Sequence, residues 1–179
     1  MTADHDCQTP MDMPPRHGSW DASADTGRPP RVVIDSALVT SALVFGGAPS
    51  ARLRRAWRSG FCRPMVCKST LLDLQRTLTD ARFGFSAQEV SRMLGEYLPY
   101  VLRVRVPEAA SPGQDIPCSL PFVQLAMAGK AHVLVTSDAA LLNASRDLPF
   151  AVLPLEPFLD RLRDSVIEPA PLRVAVRRR

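Results

Sequence analysis

The chain has 179 residues, a formal net charge of +4 and an apolar fraction of 46%, enough for one domain with a real core plus tails. No apolar run approaches the length of a membrane span, and the N-terminus, with Asp4 and Asp6 and no apolar segment, shows no secretory-signal pattern. Cys7, Cys62, Cys67 and Cys118 form no C-x-x-C pair and no zinc pattern with histidine, so reduced thiols and a cytoplasmic protein are expected.

Residues 1–30 are rich in Asp, Pro, Gly and Ser without periodicity and read as a disordered leader. The stretch RVVIDSALV, residues 31–39, opens the domain as a strand, its continuous run Val32-Val33-Ile34 suited to a parallel strand covered on both faces. A Gly-rich loop at residues 45–50 leads to a helix with Ser50 as the expected cap, Leu53, Ala56 and Trp57 on its inner stripe and Gly60 as its stop. Met65-Val66-Cys67 reads as a short strand. Ser69 or Thr70 is expected to cap a helix with Leu71, Leu74 and Leu78 inward, and Ser86 to cap another carrying Val90, Met93, Leu94, Tyr97 and Leu98. Residues 101–106 alternate as a strand, and after a loop a short helix carries Phe122, Leu125, Ala126 and Met127 and ends at Gly129. His132 to Thr136 is a further buried strand, followed by a short helix from Ala139 to Asn143. Phe150 to Leu153 is the last strand, and Pro157 opens a helix from Phe158 to Arg163. Residues 31–164 therefore form the domain, and 165–179 a basic tail ending in Arg177, Arg178 and Arg179.

The order β-α-β-α-α-β-α-β-α-β-α predicts a three-layer α/β/α fold with a central, mostly parallel sheet. Such sheets bind ligands beyond the carboxyl ends of their strands. Asp35 and Asp138 both stand at the carboxyl end of a predicted strand, on one rim. Asp73 interrupts Leu71-Leu72-Asp73-Leu74 near a helix start, where it either complements the helix dipole or points over that rim. Each acid alone reads as a turn or a cap. Gathered at 4 Å, each ionised pair costs about 4 kcal/mol at an effective dielectric of 20, so a cluster calls for a proton or a cation. Oxygen-only ligation selects a hard ion, Mg²⁺ or Mn²⁺, and such an ion on an open rim suits phosphodiester hydrolysis.

Across residues 31–163 the chain resembles PIN domains, specifically the bacterial VapC-like group described as toxin components of toxin–antitoxin systems. RVVIDSALVTSALVFGGAPSARLRRAWRSG is similar to the family's opening: a strand ending in Asp-Thr-Asn, an apolar helix, a Gly-rich loop and a helix. Leu71-Leu72-Asp73-Leu74 is similar to the segment where a Glu precedes Leu, Leu134 to Leu142 to its strand-Thr-x-Asp-x-x-Leu, and Leu153 to Leu159 to its closing Pro-x-x-Phe-Leu. The resemblance implies a PIN fold, three or four acids binding Mg²⁺ or Mn²⁺, ribonuclease activity on RNA, and an antitoxin or a second copy of the chain as protein partners. Carried over by position, Asp35, Asp73 and Asp138 are the catalytic, metal-linked carboxylates, with Asp115 as a fourth ligand if its loop folds back. Thr136, Ser36 and Ser137 would support them.

The sequence also departs from the pattern. Asp-Thr-Asn has become Asp35-Ser36-Ala37, and Asp73 replaces a Glu, shortening the reach by about one carbon–carbon bond, ~1.5 Å. Leu120 stands where the family places an Asp, and Cys118 and Ser119 replace further expected acids. The expectation is therefore a PIN-type metal-dependent ribonuclease weakened by missing acids, with a non-catalytic PIN domain that binds RNA or protein as its alternative.

Overall fold

A computed structural model describes residues 28–107, 121–143 and 148–167. The leader up to residue 27, the loop with Asp115, Cys118 and Leu120, and the tail from residue 168 lie outside the described residues. In chain order the elements are β1 (Arg31–Ile34), α1 (Ser36–Val44), α2 (Ala48–Arg58), β2 (Arg63–Val66), α3 (Lys68–Leu78), α4 (Ala87–Tyr97), a 3₁₀ turn (Leu98–Tyr100), β3 (Leu102–Arg103), α5 (Pro121–Ala128), β4 (Val133–Val135), α6 (Ala139–Asn143), β5 (Ala151–Leu153) and α7 (Leu155–Ile167).

Among the described residues the sheet has five strands, all parallel, in the order β3-β2-β1-β4-β5. The chain builds outward from β1 to one edge, returns, and builds to the other. The strand order thus reverses between β1 and β4, where Val33 faces Leu134 in register. Because side chains alternate across a strand, Val32 and Ile34 enter one core with Leu53, Trp57, Tyr97 and Phe158. Val33 enters a second, with Met65, Leu125 and Leu134. Helices cover both faces, which is why β1 reads as unbroken apolar sequence. In the first core Trp57 and Tyr97 meet edge to face, centroids 5.1 Å apart. Among the described residues, no helix is long and apolar enough to cross a membrane.

Several local expectations are corrected. The strand opening at Arg31 stops at Ile34, and Ser36 begins a helix instead, as the family resemblance implied. Gly47, not Ser50, caps α2, with Pro49 in its first turn; Ser50 is buried and its hydroxyl lies 2.9 Å from that of Ser41. Cys67 caps α3, its N–H donating to Thr70 Oγ1 at 3.0 Å. Strand β3 is shorter than its alternating run. Met127 is exposed, and Val123 takes the inward place on α5. Helix α7 starts at Leu155, so Pro157 sits in its first turn, and it continues to Ile167. The Ser86 cap is as expected, reinforced by Glu89, whose carboxylate accepts from the Ser86 N–H at 2.8 Å.

Candidate acidic site and basic groove on the sheet rim

Asp35 follows β1 at the point where the strand order reverses. Its N–H donates to Val135 O at 3.0 Å, a backbone tie between the ends of β1 and β4. Its side chain then turns to cap α1, Oδ1 accepting from the Ala37 N–H at 2.9 Å. The family's Asn side chain is absent at position 37, and the backbone N–H of Ala37 takes part in fixing the carboxylate.

Thr136 is the residue that joins the two strand ends. It is fully buried, and its N–H donates to Leu153 O at 3.1 Å. Its hydroxyl donates to Asp35 Oδ2 at 2.9 Å and accepts from the Asp138 N–H at 3.0 Å. Asp138 in turn caps α6: its Oδ1 accepts from the Ala140 N–H at 2.8 Å and its backbone O from the Leu142 N–H at 3.1 Å. The Ser36 hydroxyl, buried in the first turn of α1, donates to Asp73 Oδ2 on α3. Hydroxyls thus tie Asp35 to the Asp138 backbone and Asp73 to α1, with Asp35 and Asp73 half-buried and Asp138 exposed. Ser137 is exposed, and Asp115 lies outside the described residues.

Those links do not amount to a metal centre. Among the described residues, no group of three or more His, Cys, Asp or Glu side chains is placed to hold a metal ion. Asp35 and Asp138 have carboxylate oxygens committed to helix caps, and Asp73 has one committed to Ser36. These hydrogen bonds leave lone pairs on the carboxylates, but among the described residues the acids form no closed set for Mg²⁺ or Mn²⁺, and no chemical step is derived through such an ion.

A second feature of the same rim went unnoticed in the sequence. Beyond the ends of β2 and β3 lies an open groove of about 930 Å³ lined by Lys68, Leu72, Arg103 and Arg105, among others. The alternation Arg103-Val104-Arg105-Val106 turns both arginines outward while the valines pack against the second core. Val104 N–H still donates to Val66 O at 2.8 Å, so the segment stays beside β2 past its last strand residue. Lys68, Arg103 and Arg105 have no acidic partner among the described residues. Leu72, on the groove, directly precedes Asp73, so α3 borders both the groove and the acidic site. In the sequence its one signal is the alternation of residues 101–106, whose polar half is Arg103 and Arg105.

The sequence profile described as "PIN domain" matches residues 31–140, more than half of the chain. The chain belongs to the PIN-domain family. Among solved structures, this PIN domain is similar to PAE2754 from Pyrobaculum aerophilum, at 19% identity over 76% of this chain and 96% of that one, with a TM-score of 0.49. It is also similar to a PilT N-terminus domain protein, SSO1118, from Sulfolobus solfataricus P2, at 13% identity over 78% and 97% of the two chains, with a TM-score of 0.48. No curated protein matches.

The two described cysteines of the PIN domain lie on opposite faces of the sheet, both buried and both free thiols. Burial pushes the Cys62 thiol up to about 12. For Cys67 burial also pushes upward, but hydrogen bonding from Ser69 and Thr70 outweighs it and brings the thiol below its ordinary value.

Proposed function

We propose that this PIN domain binds single-stranded RNA along its carboxyl-end rim and does so without appreciable metal-dependent cleavage. The observation that carries the reading is the groove of Lys68, Arg103 and Arg105, which have no acidic partner among the described residues, beside acids of which no three are placed to hold a metal ion among those residues. Lysine and arginine bind phosphates without regard to sequence, releasing counterions as they do so. The exposed Leu72 offers an apolar contact to a base. The test is titration of labelled single-stranded RNA with the full chain and with Lys68→Glu/Arg103→Glu/Arg105→Glu, in the presence of Mn²⁺, reading binding and RNA integrity together.

The second reading is the ribonuclease toxin implied by the family, held in check by an antitoxin or assembled with a second copy. It is favoured by the Asp35–Thr136–Asp138 connection at the strand-order reversal. RNA cleavage that requires both Mn²⁺ and Asp35 would establish it.

A further inference from the structure

Helices α2 and α7 leave between them an apolar groove of about 330 Å³, floored by Ala56, Leu159 and Leu162, with Phe61 at one end and Arg52, Arg55 and Arg163 as walls. Phe61 is a large apolar side chain left 40% exposed. The Arg52 guanidinium is engaged by Glu156 at 2.9 Å and Asp160 at 2.8 Å. Arg55 and Arg163 are exposed and have no acidic partner among the described residues. The groove thus suits a ligand with one large apolar group flanked by carboxylates.

The chain itself carries such a segment. Residues 1–27 hold five aspartates against one arginine, a net charge of −4, so the rest of a +4 chain carries +8. Their one aromatic residue is Trp20, followed closely by Asp21 and Asp25. The point of attachment also fits. Pro30 O accepts from the Arg63 N–H at 2.8 Å, and Arg31 is in register with Arg63. Phe61 lies two residues before Arg63, so the leader joins the domain at the same end of the sheet, the amino end of β1 and β2, as Phe61 at the mouth of the groove. Eight residue-to-residue steps lead from Trp20 to Arg28. At up to ~3.6 Å each they span about 29 Å, ample to reach the groove.

We infer that the acidic leader docks in the α2–α7 groove, Trp20 against Phe61 and Leu162, and Asp21 and Asp25 paired with Arg55 and Arg163. The tether makes this an intramolecular contact at an effective concentration on the order of millimolar, so modest contacts suffice to keep it closed. A docked leader covers the exposed Phe61 and neutralises part of the arginine-rich surface of α2, leaving the Lys68–Arg103–Arg105 groove as the principal cationic surface.

Trp20 fluorescence in the full chain tests this, its emission obtained by subtracting the spectrum of Trp20→Phe so that buried Trp57 cancels. The expected result is a blue-shifted Trp20 whose quenching by acrylamide is several-fold weaker than in a free peptide of residues 14–27. Arg55→Glu/Arg163→Glu should raise quenching to the peptide level, and adding Asp21→Lys/Asp25→Lys should restore protection. Quenching equal to that of the peptide in the unmodified chain at low salt would overturn the inference. So would protection that grows with protein concentration, which would make the occupant the leader of a second copy.

Discussion

The Thr136 hydroxyl donates to Asp35 Oδ2 at 2.9 Å across 101 residues of sequence. It ties the end of β1 to the end of β4 where the strand order reverses, and through the same oxygen it holds the Asp138 N–H. The acids on this rim are fixed as parts of the fold, which has consequences for stability as well as for chemistry.

Thr136→Val keeps the shape of a fully buried side chain but removes both hydrogen bonds. It leaves the Asp138 N–H and one Asp35 oxygen without this partner. A loss of about 1–3 kcal/mol is expected in urea unfolding, with the denaturant slope unchanged. Thr136→Ser, which keeps the hydroxyl, should recover most of it. Equal losses in both variants would place the effect in packing of the methyl group.

The end of α5 predicts a pair of opposite effects at adjacent positions. Lys130 has φ of 49°, a left-handed conformation that normally falls to glycine, while Gly129 precedes it. A Cβ on Gly129 would lie 2.7 Å from Met65 Cε and 3.1 Å from Leu125 O. Lys130→Gly should therefore stabilise the chain by about 0.5–1 kcal/mol, and Gly129→Ala destabilise it by about 1–3 kcal/mol. Thermal unfolding of the two variants should shift in opposite directions.

Alkaline pH should destabilise the domain. Burial raises the Cys62 thiol to about 12, and burial together with Cys62 raises the Tyr97 phenol. Both stay protonated in the folded chain after their unfolded counterparts have ionised. The unfolded state then binds fewer protons, so stability is intact below the ordinary thiol value and falls as pH rises above it. The slope is about 1.4 kcal/mol per pH unit for each group. Urea midpoints between pH 8 and 11 should decline, and Tyr97→Phe should make the decline shallower above the ordinary phenol value. A flat profile would contradict the burial of these groups.

Much of the architecture was legible because burial on two faces leaves an unmistakable mark. Val32-Val33-Ile34 feeds two cores, and the run Val133-Leu134-Val135 does the same. The helix α1 was not legible from its residues alone. Ser36 to Val44 is apolar nearly all round, so it lacks the one-sided stripe that signals a helix, and its cap, Asp35, also reads as a strand end. Ser50 misled because a good capping residue was instead buried against Ser41, while Gly47 and Pro49 started the helix. At the site, Thr136-Ser137-Asp138 announced itself through its likeness to the family. The basic groove did not, since Lys68 and Arg103 become neighbours only through the pairing of β2 with β3.

RNA binding without cleavage is tested by one titration: labelled single-stranded RNA with the full chain in Mn²⁺, followed by anisotropy across a range of salt concentrations and by gel for RNA integrity. Three lost phosphate contacts correspond to a change of about 2 in the slope of log affinity against log salt. The expected result is salt-dependent binding that weakens at least tenfold in Lys68→Glu/Arg103→Glu/Arg105→Glu, with the RNA intact throughout. Cleavage that requires Mn²⁺ and is abolished by Asp35→Asn, or binding unchanged by the triple substitution, would contradict it.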